Sequence, residues 1–210
     1  MSSTTAQRPA AFRPLSVILQ DAALVGFCVL SAIAHLSQLA DGHLLSSAFL
    51  AEQILLAVLF LVRRRPAVTS SRPFDWIVAI GSWLPIAMRP AESSVSALLV
   101  AGACVQFVGL ALTIVGFLYL GRSFGIVAAN RGLKVNGPYR VVRHPIYFSH
   151  GLTQVGFLLA NPSWLNLAIF ALVSLCQVFR MSAEERILTE SADYALYQKR
   201  VRWRVLPGLY

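Results

Sequence analysis

From residue 94 to residue 120 the chain reads SVSALLVAGACVQFVGLALTIVGFLYL, with no charged side chain anywhere in the run. A helix of about 20 apolar residues crosses ~30 Å of hydrocarbon, so this run is long enough to cross while tilted. Five further runs are predominantly apolar, at 15–40, 44–62, 74–88, 145–160 and 164–180. The run at 74–88 is short and carries Trp76, Trp83 and Pro85, whereas the last two form a helical hairpin broken at Asn161-Pro162. Only 13% of the 210 residues are charged and 57% are hydrophobic. A soluble domain carries about 25% charged residues, and a core this small cannot absorb so much apolar surface. The sequence therefore predicts an all-α, polytopic integral-membrane helical bundle of about 5–6 transmembrane helices. Residues 1–14 read as a disordered cytosolic tail, 15–117 as N-terminal transmembrane helices and 118–210 as a separate C-terminal region.

The formal net charge of +9 invites a nucleic-acid reading, which the positions of the charges remove. With a cytosolic N-terminus, only Arg89 of the eighteen basic residues falls on the outer side. That bias is the positive-inside pattern, so the charge sets topology and favours anionic lipid. Both termini are then cytosolic, and the polar segments 121–144 and 181–210 emerge on one side of the membrane, where they can meet. Cys28, Cys104 and Cys176 all lie in apolar runs. Their odd number and lack of ligand spacing predict buried hydrophobes and neither a disulfide framework nor a metal site.

Polar residues inside spans are costly and mark function or pairing. Asp21, His35, Glu52 and Gln53 are such residues. An antiparallel arrangement of the first two spans predicts a structural His35–Glu52 pair. Gly102, Gly109 and Gly116, seven residues apart, share one helix face and predict close helix packing.

The densest chemistry lies at 137–150, GPYRVVRHPIYFSH. Gly-Pro sets a turn, and Pro145 suits the first turn of a helix. That helix start, with Arg143 beside it, predicts a site for a carboxylate or phosphate. In FRMSAEERIL at 179–188, Arg180 and Glu184 share a face, with Glu185 one position round. His150 reads as a polar residue near the interface.

LGRSFGI at 120–126, GPYRVVRHPIY at 137–147, NP at 161–162, EERIL at 184–188 and DYALYQKRVRWRVLP at 193–207 occur in this order. Together they resemble the isoprenylcysteine carboxyl methyltransferase family and its bacterial relatives, with phospholipid methyltransferases as wider kin. The resemblance covers about residues 118–208. It implies a bacterial inner-membrane enzyme that uses S-adenosylmethionine, with 118–210 forming a cytosolic cofactor pocket, and a lipophilic small molecule or lipidated substrate as methyl acceptor. Carried over by position, Leu133, Tyr139, Arg143, His144, Pro145, Tyr147, Glu184 and Glu185 are the expected cofactor-binding residues. Arg180 is the expected catalytic residue, orienting an acceptor carboxylate. An amine or thiol acceptor would instead need a proton removed, and a sterol-reductase-type enzyme using NADPH is the rival reading. The family commonly has glycine two positions after the tyrosine of RHPxY, where this chain has Ser149, so helix packing or the acceptor tunnel is expected to differ. No glycine-rich signature of the soluble methyltransferase fold is present.

Overall fold

A computed structural model describes residues 15–63, 68–91, 96–125 and 127–209. The N-terminal tail, Arg64, Arg65 and the side chain of Asp21 lie outside the described residues. Seven helices carry the fold: α1 (Leu15–Ala40), α2 (Ser46–Val62), α3 (Pro73–Gly81), α4 (Ser96–Leu120), α5 (Pro145–Ala160), α6 (Trp164–Leu188) and α7 (Ala192–Arg200). Among the described residues, the departure from an all-α architecture is a two-residue antiparallel ladder. In it β1 (Val68–Thr69) pairs with β2 (Ala129–Asn130), with Val68 opposite Asn130.

By length and composition, two helical stretches can cross a membrane, Ser96–Ser123 and Trp164–Leu188. The other described apolar stretches, Leu24–Ala40, Ser46–Val62 and Pro73–Ala87, are shorter. Their outward faces are nonetheless apolar: Leu30, Ile33, Ile77, Ile80, Leu118 and Leu165 are all more than half exposed. Exposed apolar surface on this scale is unstable in water, so the described surface is that of a membrane protein.

The α4–α5 seam explains the glycine spacing. A Cβ on Gly102 would lie 2.6 Å from the carbonyl oxygen of Gly156, and one on Gly109 would lie 2.5 Å from the backbone nitrogen of Thr153. Only glycine allows two backbones this close. Ser149 falls in the same seam: its hydroxyl bonds the Thr113 hydroxyl at 2.8 Å and the Ile146 carbonyl at 2.9 Å. It is fully buried and does not line the cavity described below. The departure at this position therefore acts on packing.

Segment 74–88 is a short helix followed by a 3-10 turn at Leu84–Ala87, because Pro85 cannot continue an α-helix. It still runs the depth of the bundle alongside α6. Asp75 pairs with Arg186 at 2.5 Å, Ser82 accepts from Arg180 at 2.7 Å, and the backbone of Arg89 bonds both ends of the Asn166 amide. Arg186 and Asn166 are twenty residues apart on α6, about 30 Å at 1.5 Å per residue. At the Asn161-Pro162 break, Ser163 caps α6 by accepting from the Asn166 amide nitrogen at 3.1 Å. The α6 helix then continues past residue 180 to Leu188, so Arg180, Glu184 and Glu185 all ride on it.

Candidate functional site

The C-terminal ends of α2, α4 and α6 and the start of α5 gather at one end of the bundle, the polar end. Arg122 on the α4 side donates to the Val62 carbonyl that closes α2 at 2.8 Å. The segment after α7 folds back onto the entry to α5: the Arg143 and His144 amides donate to the Trp203 and Arg204 carbonyls at 2.9 and 2.8 Å. Segments 121–144 and 181–210 thus meet, as their charges predicted.

Gly137 opens this region in the left-handed conformation, φ 59°, and a Cβ there would strike the Tyr119 ring at 2.5 Å. The turn that follows, Gly137–Arg140, presents the Tyr139 carbonyl to the Tyr197 hydroxyl of α7 at 2.7 Å. Burial, chiefly, raises the phenols of Tyr139 and Tyr194 well above the ordinary range and pushes Tyr197 up to about 12. All three stay neutral hydroxyls at physiological pH. The Tyr194 hydroxyl is buried without a partner among the described residues.

Two adjacent glutamates on α6 have different fates. Glu185 is buried and holds two arginines and a histidine: Arg143 Nε at 3.2 Å, His144 Nε2 at 3.1 Å and Arg204 at 2.9 Å. It does not line the cavity. Glu184 does line it, accepts a hydrogen bond from the Tyr147 hydroxyl, and lies 3.9 Å from both His144 Nδ1 and Arg180. The sequence predicted that the start of α5 and Arg143 would receive an external anion. In the structure, the protein's own Glu185 meets Arg143, and backbone carbonyls take the two amides at the helix entry. Arg180 is held by Ser82 and lies over the Tyr147 ring at 5.3 Å.

A single cavity joins these parts. Its polar mouth is lined by Leu133, Lys134, Tyr139, Arg143, His144, Tyr147, Glu184, Leu188, Tyr194 and Tyr197, and Arg180 marks its middle. The space reachable by the centre of a water molecule is ≈ 190 Å³. Of the residues expected from the sequence, Pro145 is buried as the first residue of α5 and, like Glu185, lies outside the lining. The other seven border the cavity.

The inner half was not foreseen. It takes Phe49, Glu52, Gln53 and Leu56 from α2, Ser82, Trp83 and Pro85 from the broken segment, His150 and Gln154 from α5, and Gln177 from α6. No direct His35–Glu52 ion pair forms among the described residues: Glu52 contacts His150 Nδ1, while His35 lies against the Phe49 ring at 5.2 Å, tilted by 30°. Helical spacing held the signal. Gln177, Arg180 and Glu184 share one face of α6, and Tyr147, His150 and Gln154 share one face of α5.

The fold and cavity define a helical membrane protein with a polar-mouthed pocket that deepens between apolar helices. Residues 94–194 match the model of a family described as phospholipid methyltransferase, the wider kin of the resemblance drawn from the sequence. No curated protein matches the chain. The matched stretch holds the polar mouth from Leu133 to Tyr194 and leaves out α2 and the segment 73–88.

Proposed function

We propose that the protein is an integral-membrane methyltransferase that uses S-adenosylmethionine and acts on a lipophilic acceptor. The observation that carries this reading is the convergence of Leu133, Tyr139, His144, Tyr147 and Glu184, from three separate segments, on one cavity. When bound, S-adenosylmethionine supplies an electrophilic methyl group on a sulfonium.

The donor set suits that molecule. Glu184 offers a carboxylate for its amine or ribose, and Lys134 and Arg131 offer cations for its carboxylate. Tyr139 and Leu133 offer apolar surface for its adenine, and the unpartnered Tyr194 hydroxyl offers a further hydrogen bond. Pro145 and Glu185 support this wall from behind. Arg180, between the mouth and the inner half, is the residue that orients the acceptor. Excluding water and aligning the reactants do most of the work in such a transfer. The apolar helices around the inner half favour a lipophilic molecule entering from the membrane. The arginines at the ends of α2, α4 and α6, with Arg89 at the opposite end, support an orientation with both termini in the cytosol of a bacterial inner membrane.

Titration calorimetry on detergent-solubilised protein tests the reading. S-adenosylmethionine is expected to give a saturable heat, weakened at least tenfold by Glu184→Ala or His144→Ala. Arg180→Ala is expected to keep the heat and lose turnover. Heat with NADPH and none with S-adenosylmethionine would sink the proposal in favour of a reductase.

A further inference from the structure

Glu52 and His150 stand apart from the charges at the polar mouth. Glu52 is 5% exposed on α2, and its Oε1 contacts Nδ1 of His150 on α5. Both line the inner cavity, with the Phe117 ring edge-on to His150 at 6.1 Å. An ion pair that merely ties two helices has no need of a cavity, and the Asp75–Arg186 tie between α3 and α6 has none.

We propose that His150, held by Glu52, takes a proton from the methyl acceptor, whose reacting atom therefore carries N–H, O–H or S–H rather than being a carboxylate. This rests on the methyltransferase reading. Glu52 lies outside the matched residues 94–194 and His150 within them.

Three observations carry the assignment. The first is position. His150 is three residues after Tyr147 on the same face of α5, about 4.5 Å further along the helix, beyond the Tyr147–Glu184 contact. The second is tautomer. An ionised carboxylate only accepts, so the Glu52 contact fixes the proton on Nδ1 and leaves the lone pair of Nε2 to receive one. Glu52 then stabilises the imidazolium that forms. The third is the neighbouring amides. The Oε1 atoms of Gln53 and Gln177 are buried without partners among the described residues, and both side chains line the cavity. Acceptors in want of a donor suit an incoming N–H or O–H, and a carboxylate would face Glu52 as a like charge.

In the transfer, the acceptor's proton moves to His150 Nε2 and the freed electron pair forms the bond to the methyl carbon. The carbon–sulfur pair stays on the departing thioether, and water later removes the proton from His150. His150 is thus a catalytic residue and Glu52 a positioning residue.

Full-length protein in detergent micelles is tested with methyl-labelled S-adenosylmethionine and three twelve-carbon probes: dodecylamine, dodecanethiol and dodecanoic acid. Label is expected on the amine or the thiol, in a form stable to mild base. His150→Gln is expected to lower kcat about a hundredfold with the cofactor heat unchanged. Glu52→Gln should lower kcat less than His150→Gln does, with the cofactor heat unchanged, and Glu52→Asp should restore it in part. The other ionisable groups on this cavity are Arg131, Lys134, Arg143, His144, Arg180, Glu184 and the phenols of Tyr139, Tyr147, Tyr194 and Tyr197, with His35 behind Glu52, and they are common to all variants. Nitrogen-15 spectra of labelled histidines, independent of turnover, should show an Nδ1–H tautomer lost in His150→Gln and altered in Glu52→Gln. The proposal is overturned by base-labile methyl ester as the main product, by no labelled probe despite cofactor heat, or by kcat within threefold of wild type in both His150→Gln and Glu52→Gln. Absence of cofactor heat in the wild type refutes the methyltransferase reading itself, and the proposal falls with it.

Discussion

At the polar mouth of the cavity, Arg143, His144 and Arg204 share a single buried carboxylate, Glu185. Deeper in, Glu52 contacts His150, and two amide oxygens have no partner among the described residues. The charged groups behind the mouth pair with one another, which fixes that wall before any ligand arrives, and the Tyr194 hydroxyl is left open among the described residues. The inner half leaves hydrogen-bonding capacity open, and a ligand is what completes it. One cavity thus combines a rigid wall with a receptive one, which is what a cofactor site beside a variable acceptor site requires.

The largest expected effect breaks the mouth. Glu185→Ala removes the common partner of Arg143, Arg204 and His144 in a buried setting and is expected to cost about 3–5 kcal/mol. Thermal unfolding in detergent should show a large fall in Tm, with the S-adenosylmethionine heat lost. Gln177→Leu is the matching change in the inner half. It deletes an unpartnered buried oxygen, so it should leave Tm unchanged or raise it. Similar losses from both substitutions would erase the distinction between the two regions.

A smaller effect isolates the mouth's contact with its ligand. Tyr147→Phe removes the hydrogen bond to Glu184 while keeping the ring under Arg180. That bond lies within the protein and is worth about 1.5–3 kcal/mol, so Tm should fall modestly, and the cofactor should bind more weakly because Glu184 loses the partner that positions it. A large fall in Tm would instead make Tyr147 part of the scaffold.

The sequence showed the mouth more clearly than the inner half, for a physical reason. RHPIY and EERIL are local runs whose charges stand out against Leu and Val, and the positive-inside pattern brought their segments to one end. What it could not show was which glutamate faces the cavity: Glu184 and Glu185 are neighbours in sequence, and only tertiary packing assigns one to the lumen and the other to the arginines. The inner half is assembled from single polar residues on α2, α5, α6 and the broken segment 73–88. Glu52 was visible as a costly ion, yet its partner depended on which helix lay across from α2. Neighbouring spans suggested His35, whereas the helix that presents a partner is α5, nearly a hundred residues on. Ser149 was visible as a departure, and only the closeness of α4 showed that it serves packing.

The smallest expected effect concerns how the C-terminal segment closes the mouth. The Tyr197 hydroxyl donates to the Tyr139 carbonyl, and Tyr197→Phe should cost about 1 kcal/mol. Burial pushes the Tyr197 phenol from 10.0 up to about 12, so the folded protein holds this proton after the unfolded chain has released it. Its contribution is complete below pH 10 and is lost as pH rises toward 12. Wild type should therefore lose stability between pH 10 and 12 more steeply than Tyr197→Phe, as read by unfolding midpoints at pH 8 and 11. Tyr139 and Tyr194, raised by burial in the same cluster, keep some of that slope in the variant. Equal slopes in the two proteins would mean that Tyr197 is solvated in solution, and the mouth would then be looser than its hydrogen bonds imply.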